Sequence, residues 1–229
     1  MFNLSNLLPV ILSGVMFFSG LGGTMPQVST QTVQNGTSVA TYSVVQLPDS
    51  VRSKHPELAS AVNSLNAAEK KDAEEYVADY ANGPKDNPYT SKSSIQVLRS
   101  DDQILSAVRK TEYNGGAHPA VLYSGVNLDP NTGYALTAKD VLQNPNALAR
   151  KVADSVISQN PTMAFDRQQL EDGVKAAFKD GSLAFAIDDD TLHVYVDENV
   201  TGAHVYGTYE VKIPLAGSGV VKDAHVADK

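Results

Sequence analysis

The spacing of apolar residues changes period along this chain, which restricts it to folds that mix helix and sheet. From Pro56 onward, Leu58, Ala61, Val62, Leu65, Ala73, Tyr76, Val77 and Tyr80 recur every three or four positions, the repeat of one helix face. Pro56 suits a first helical turn, where a backbone N–H has no partner in any case, and Gly83-Pro84 closes the segment. Between the apolar positions, Glu69, Lys70, Lys71, Asp72, Glu74 and Glu75 read as a solvated face of mixed charge; an acidic binding patch is the sharper reading. From Ser93 the period drops to two. Ile95 and Val97 alternate with polar residues, Asp101-Asp102 turns the chain, 104–113 makes a longer strand and 120–128 its partner. Pro130 presets φ and Gly133 accepts φ > 0, so 129–133 is a turn.

Helical spacing then returns. Thr137 with Asp140 caps a short helix, a second begins at Pro145 with Leu148, Val152 and Val156 inward, and a third follows Asp166 with Leu170, Val174 and Phe178 inward. Strands over 183–187, 192–196 and 206–214 end the domain. Hairpin-ordered strands with helices between the groups predict an α+β fold: an antiparallel sheet with helices covering one face, in a single mature domain over residues 42–217.

The N-terminal region is of another kind. No charged residue precedes Asp49, and 7–23 reads LLPVILSGVMFFSGLGG. A spanning helix needs about 20 apolar residues, whereas a signal h-region is shorter and ends in small ones. Residues 1–23 are therefore expected to be a signal peptide or, failing cleavage, an N-terminal anchor, although 1–6 lack the usual positive side chains. The expected location is extracytoplasmic, with a membrane engaged only through an uncleaved leader. Residues 24–41, rich in Thr, Ser, Gln, Asn and Gly, read as a flexible polar linker, and 218–229 as a flexible C-terminal tail.

Composition removes several functions. With 18 Lys+Arg against 26 Asp+Glu the net charge is −8, which gives phosphate backbones no electrostatic footprint, so nucleic acid is not an expected partner. The absence of cysteine excludes disulfides, thiolate zinc sites and iron–sulfur clusters. There is no Gly-x-Ser-x-Gly elbow, Ser-x-x-Lys motif or Gly-rich phosphate loop, so a nucleophile would have to come from a serine such as Ser106 or Ser124. Glu112 and Asp129 are the carboxylates to inspect for glycoside chemistry.

The most distinctive string is Tyr113-Asn114-Gly115-Gly116-Ala117-His118-Pro119. Adjacent glycines admit backbone conformations closed to other residues, so the string predicts a hairpin bend with His118 just beyond it. Turn-borne aromatic and polar groups can stack and hydrogen-bond a ligand, which makes Tyr113, Asn114, His118 and Tyr123 the binding candidates. The plainer alternative is that Tyr113 and Tyr123 pair across the hairpin. His118, His193 and His204 with Asp188, Asp189 and Asp190 offer nitrogen and oxygen donors for a divalent ion, and His118, His204 and Asp129 are the set a metal-assisted hydrolase would use. No cofactor is expected otherwise.

At these residues the chain resembles a bacterial extracytoplasmic domain family found in lysozyme-sensing anti-sigma factors of the RsiV type and beside the catalytic domain of some peptidoglycan deacetylases. The resemblance is carried by Tyr42 with Pro48, 104–108 leading to Tyr113 and Gly115-Gly116-Ala117-His118, Asn127-Leu128-Asp129 with Thr132-Gly133, Leu136-Thr137 with 140–142, and 192–195, Gly207 and 210–215. It implies an α+β envelope recognition domain with no catalytic residues assigned. This chain departs from it at 199–204, where the family shows a Tyr-Glu-x-Ala-Pro-Tyr-like string, and with only 1–6 before the apolar stretch neither a sigma-binding segment nor a deacetylase domain is expected. The expected function is an exported, non-catalytic binding domain that recognises an envelope component, either a peptidoglycan-related glycan or a basic lysozyme-like protein. The alternative is a metal-assisted hydrolase of an envelope polymer.

Overall fold

The computed structural model describes residues 15–16, 25–115, 119–197, 200 and 207–226. The chain is α+β, with nine strands in two sheets and five α-helices among the described residues. The first sheet has the order β1 (Val15–Met16), β2 (Gln27–Asn35), β3 (Ser38–Gln46), β4 (Thr90–Ser100), β5 (Leu105–Asn114), β6 (Ala120–Leu128); the second has β7 (Ala184–Ile187), β8 (Thr191–Val196), β9 (Tyr209–Pro214). The chain divides into two compact units, 1–97 with 109–122 and 131–133, and 98–108 with 123–130 and 134–229, so β4, β5 and β6 contribute residues to both.

In the first unit, β2 and β3 form a hairpin paired from Gln27↔Gln46 to Asn35↔Ser38 around Gly36-Thr37, with Gly36 at φ 58°. This corrects the linker expected over 24–41. Its Thr residues are β-branched and as compatible with a pleated, half-buried strand as Val is, and Val33, Ala40 and Tyr42 bury against Ala73 and Val77. Helices α1 (Asp49–Lys54) and α2 (Pro56–Asp79) carry the chain from β3 to β4, and such a crossover returns the strand parallel: Val39↔Thr90, Ala40↔Ser91, Thr41↔Lys92. The first sheet is therefore mixed. Asn66 of α2 supplies both halves of a missing strand contact, accepting from the Val45 N–H at 2.9 Å and donating to the Val45 carbonyl at 2.8 Å.

In the second unit, α3 (Ala138–Val141), α4 (Pro145–Gln159) and α5 (Arg167–Asp180) bury Val141, Leu148, Val152, Leu170 and Val174 with Ile187, Leu192, Val194, Val211 and Ile213 of the second sheet. The expected caps are present. The Thr137 N–H donates to Asp140 at 2.8 Å, Asn144 accepts from the Ala147 N–H, Asp166 accepts from the N–H groups of Gln168 and Gln169, and Gly181 ends α5 at φ 84°. The tail expected over 218–229 is corrected through 226. Val220 and Val221 are buried in this core, the Gln143 N–H donates to the Val220 carbonyl and the Lys222 N–H to the Val141 carbonyl, so backbone pairing and apolar burial hold the segment.

Of the leader only Val15–Met16 is described, paired antiparallel with Ser29 and Val28 of β2; whether 1–23 is a signal peptide or an anchor lies outside the described residues. No described helix is long and apolar enough to cross a membrane.

Candidate functional site

The buried stripe of α2 runs Leu58, Val62, Glu69, Ala73, Val77, so a carboxylate occupies a position the helix otherwise gives to apolar side chains. A buried carboxylate needs charge and hydrogen-bond partners to offset its lost hydration. Glu69 accepts from the Ser93 hydroxyl of β4 at 2.5 Å and from Arg109 Nη1 of β5 at 2.9 Å. Its reading as part of a solvated face is thereby corrected. The signal was in the spacing, since Glu69 stands seven residues after Val62 and four before Ala73, both inward.

Beside this pair lies a cavity of about 260 Å³. Strand β5 lines it with Arg109, Thr111 and Tyr113, which share a face by the two-residue strand period; α2 lines it with Glu69, Asp72, Ala73, Tyr76, Asp79 and Tyr80, three and four residues apart. Its aromatic wall includes a chain of tilted rings, Tyr76 standing 4.8 Å from Tyr80 and 5.7 Å from Tyr113, and Tyr89, outside the lining, backs this wall with its ring 5.1 Å from Tyr80. The Tyr89 ring occupies the space a side chain at Gly115 would need, with Cδ1 1.9 Å from where a Cβ would stand, and Gly115 adopts φ 134°. The first glycine of the hairpin motif therefore accommodates this wall. Tyr76 donates to the Thr90 carbonyl at 3.1 Å and Tyr42 to Gln31 Oε1 at 2.6 Å. Burial raises both hydroxyl pKa values, helped at Tyr76 by Tyr80, Tyr113 and Tyr89 and at Tyr42 by Glu74, so both stay neutral donors. Among the residues lining the cavity, Arg109 is the single cation, against Glu69, Asp72, Glu75 and Asp79. Flat apolar ring faces beside carboxylates suit ligands with apolar faces, hydroxyls and positive charge.

The second unit holds a smaller cavity of about 230 Å³, lined by Tyr123, Ala176, Asp180, Ser182 and Tyr195 among others. Here two rings are already satisfied by each other, Tyr123 lying 4.8 Å from Tyr195 at 6°. Burial, then the Glu210 carboxylate, push the Tyr195 hydroxyl up. Both ring nitrogens of buried His193 face carboxylates, Nδ1 at 2.7 Å from Glu210 and Nε2 at 2.9 Å from Asp188. Ser106 is buried, donating to Asn127 Oδ1 at 2.6 Å and accepting from the Ile187 N–H at 2.8 Å, while Asn127 donates to the Phe185 carbonyl at 2.9 Å. This hydroxyl and amide satisfy the outer edge of β7. Ser106, one of the serines from which a nucleophile would have to come, has its hydroxyl enclosed and engaged as donor and acceptor.

Two solved structures share this architecture. One is a DUF3298 family protein from Pseudomonas aeruginosa PAO1, 15% identical, with 90% of this chain and 97% of that chain covered at a TM-score of 0.54. The other is a DUF3298 family member from Bacteroides fragilis NCTC 9343, 14% identical, with coverages of 88% and 96% and a TM-score of 0.51. The fold is that of these DUF3298 proteins. No family model and no curated protein matches the sequence. DUF3298 is a bacterial domain of unknown function, and at these identities the likeness is one of fold.

Within this DUF3298-like fold the sequence candidates separate. Tyr113 lines the first cavity, with its ring on Tyr76; Tyr123 lines the second, with its ring on Tyr195; Asn114 is exposed at the end of β5. His118 lies outside the described residues, as does His204, so of the alternative metal set only Asp129 is described, its N–H donating to the Tyr134 carbonyl at 2.9 Å. Among the described residues, no three His, Asp or Glu side chains group so as to hold a metal ion. Glu112 accepts from Lys110 at 2.7 Å, which holds its carboxyl below the usual range, the reverse of what a general acid requires. Sequence reasoning missed Tyr76 and Tyr80 as site residues, because helical spacing assigned the rings to the core; it reached Glu69, Asp72 and Glu75 only through the alternative of an acidic patch, and passed over Asp79.

Proposed function

We propose that this protein is an exported, non-catalytic binding domain, and that the ring-walled cavity between α2 and β5 takes a cell-envelope glycan. The observation that carries this reading is the run of Tyr113, Tyr76 and Tyr80 along one cavity whose rim also offers carboxylate acceptors. Sugar rings present apolar C–H faces to aromatic rings and hydroxyl donors to carboxylates, and the cavity supplies both. The apolar leader and the resemblance to envelope recognition domains support export and this ligand class. Calorimetric titration of the full chain with peptidoglycan fragments tests it. Saturable heat is expected, reduced at least tenfold in affinity by Tyr80→Ala, which removes a ring that is 45% exposed and so leaves the core intact. Lack of heat with every fragment would falsify this reading.

A further inference from the structure

We infer, building on the glycan-binding reading above, that the cavity selects sugars bearing a free amine over their N-acetylated forms. The argument begins with the ring wall. Tyr76, Tyr80 and Tyr113, with ring centroids 4.8 and 5.7 Å apart, line one space of about 260 Å³, and electron-rich rings attract an ammonium group more strongly than a neutral amide. The charge of the lining points the same way. Arg109 is engaged by Glu69 at 2.9 Å and stands 3.9 Å from Asp72, which leaves the rim, with Glu75 and Asp79 on the same helix, net negative. Glu75 is 3.4 Å from Lys71, but the cavity lining contains no lysine. A ligand that brings one positive charge per sugar therefore gains from rings and rim together, whereas an N-acetyl group brings bulk and no charge. At tenfold per 1.4 kcal/mol, one partly desolvated cation–ring contact corresponds to a preference of about tenfold.

The test titrates the full-length protein with glucosamine oligomers and with N-acetylglucosamine oligomers of the same length, at low and high salt. About tenfold tighter binding of the free-amine series is expected, falling toward parity at high salt and in the double variant Asp72→Asn, Asp79→Asn. Both side chains are exposed, so the variant should fold as the parent does, which far-UV circular dichroism checks. Asp189→Asn, an exposed change in the other unit, should leave the preference unchanged. Equal or tighter binding of the N-acetylated series would overturn this inference while leaving the glycan reading intact. Silence from both series would overturn both. Binding of a basic protein such as lysozyme, with neither oligomer active, would assign the acidic rim to a protein partner and likewise overturn the proposal.

Discussion

The two units handle polar side chains in different ways. In the second unit, charged groups are enclosed on several partners, with buried Arg99 donating to Asp101, Gln103 and the His225 carbonyl and buried His193 lying between Glu210 and Asp188, beside the neutral pin of Ser106 and Asn127; the helices α4 and α5 present uninterrupted apolar stripes, and the Tyr123 and Tyr195 rings stack flat on each other. In the first unit, a charge interrupts the stripe of α2, its partner Arg109 is one-third exposed, and the neighbouring rings meet at tilts of 34–53°. The first unit's cavity of about 260 Å³ lies beside an ion pair, and the second unit's, of about 230 Å³, lies beside the stacked rings.

The largest effect that would sharpen this contrast is in the cores. Val152→Ala in α4 should cost about 2–3 kcal/mol and Val77→Ala in α2 about 1–2 kcal/mol in urea denaturation, because the smaller cluster around Val77 has more freedom to collapse around the deletion. Equal costs would break the comparison. Next, Arg109→Ala leaves Glu69 buried with Ser93 as its remaining hydrogen-bond donor, and should cost about 2 kcal/mol; adding Glu69→Gln should recover much of it, a coupling that a double-mutant cycle measures. Ser106→Ala should cost about 1–2 kcal/mol, by leaving the Ile187 N–H and Asn127 Oδ1 without this partner, and should leave glycan affinity unchanged.

The smallest effect is the pH dependence that Tyr195 adds in the second unit, beside that of Tyr42 and Tyr76 in the first. The folded Tyr195 hydroxyl is raised above its ordinary pKa of 10.0, so the unfolded chain loses that proton first as pH rises. The stability it contributes is complete below pH 10 and declines above it. Thermal melts between pH 9 and 11.5 should fall more steeply for the parent than for Tyr195→Phe; parallel curves would remove the assignment.

Much of the architecture was readable from neighbouring residues. The Thr137 and Asp140 pair, Asp166 and Gly181 mark helix ends through bonds and backbone angles that act within a few residues, and the inward faces of α4 and α5 follow their spacing. Residues 24–41 escaped because threonine and glutamine carry no apolar alternation, so only the partner strand and the covering helix reveal them as β2 and the start of β3. The site was half legible. Tyr113 was singled out through its glycine-rich turn, yet its ring belongs with Tyr76 on a helix closed 34 residues earlier by Asp79.

By itself the order of residues determined the α+β class, the starts of α3, α4 and α5, the turn at 129–133 and the acidic balance, since each depends on spacing, local hydrogen bonding or simple counting. Tertiary structure alone decided that β3 and β4 run parallel, that Glu69 is buried, and that Tyr42, Tyr76, Tyr80 and Tyr113 line one cavity. The physical reason is separation along the chain. Ser93 and Arg109 lie 24 and 40 residues from Glu69, beyond any periodicity, and a carboxylate becomes a core residue only once folding has brought such partners to it.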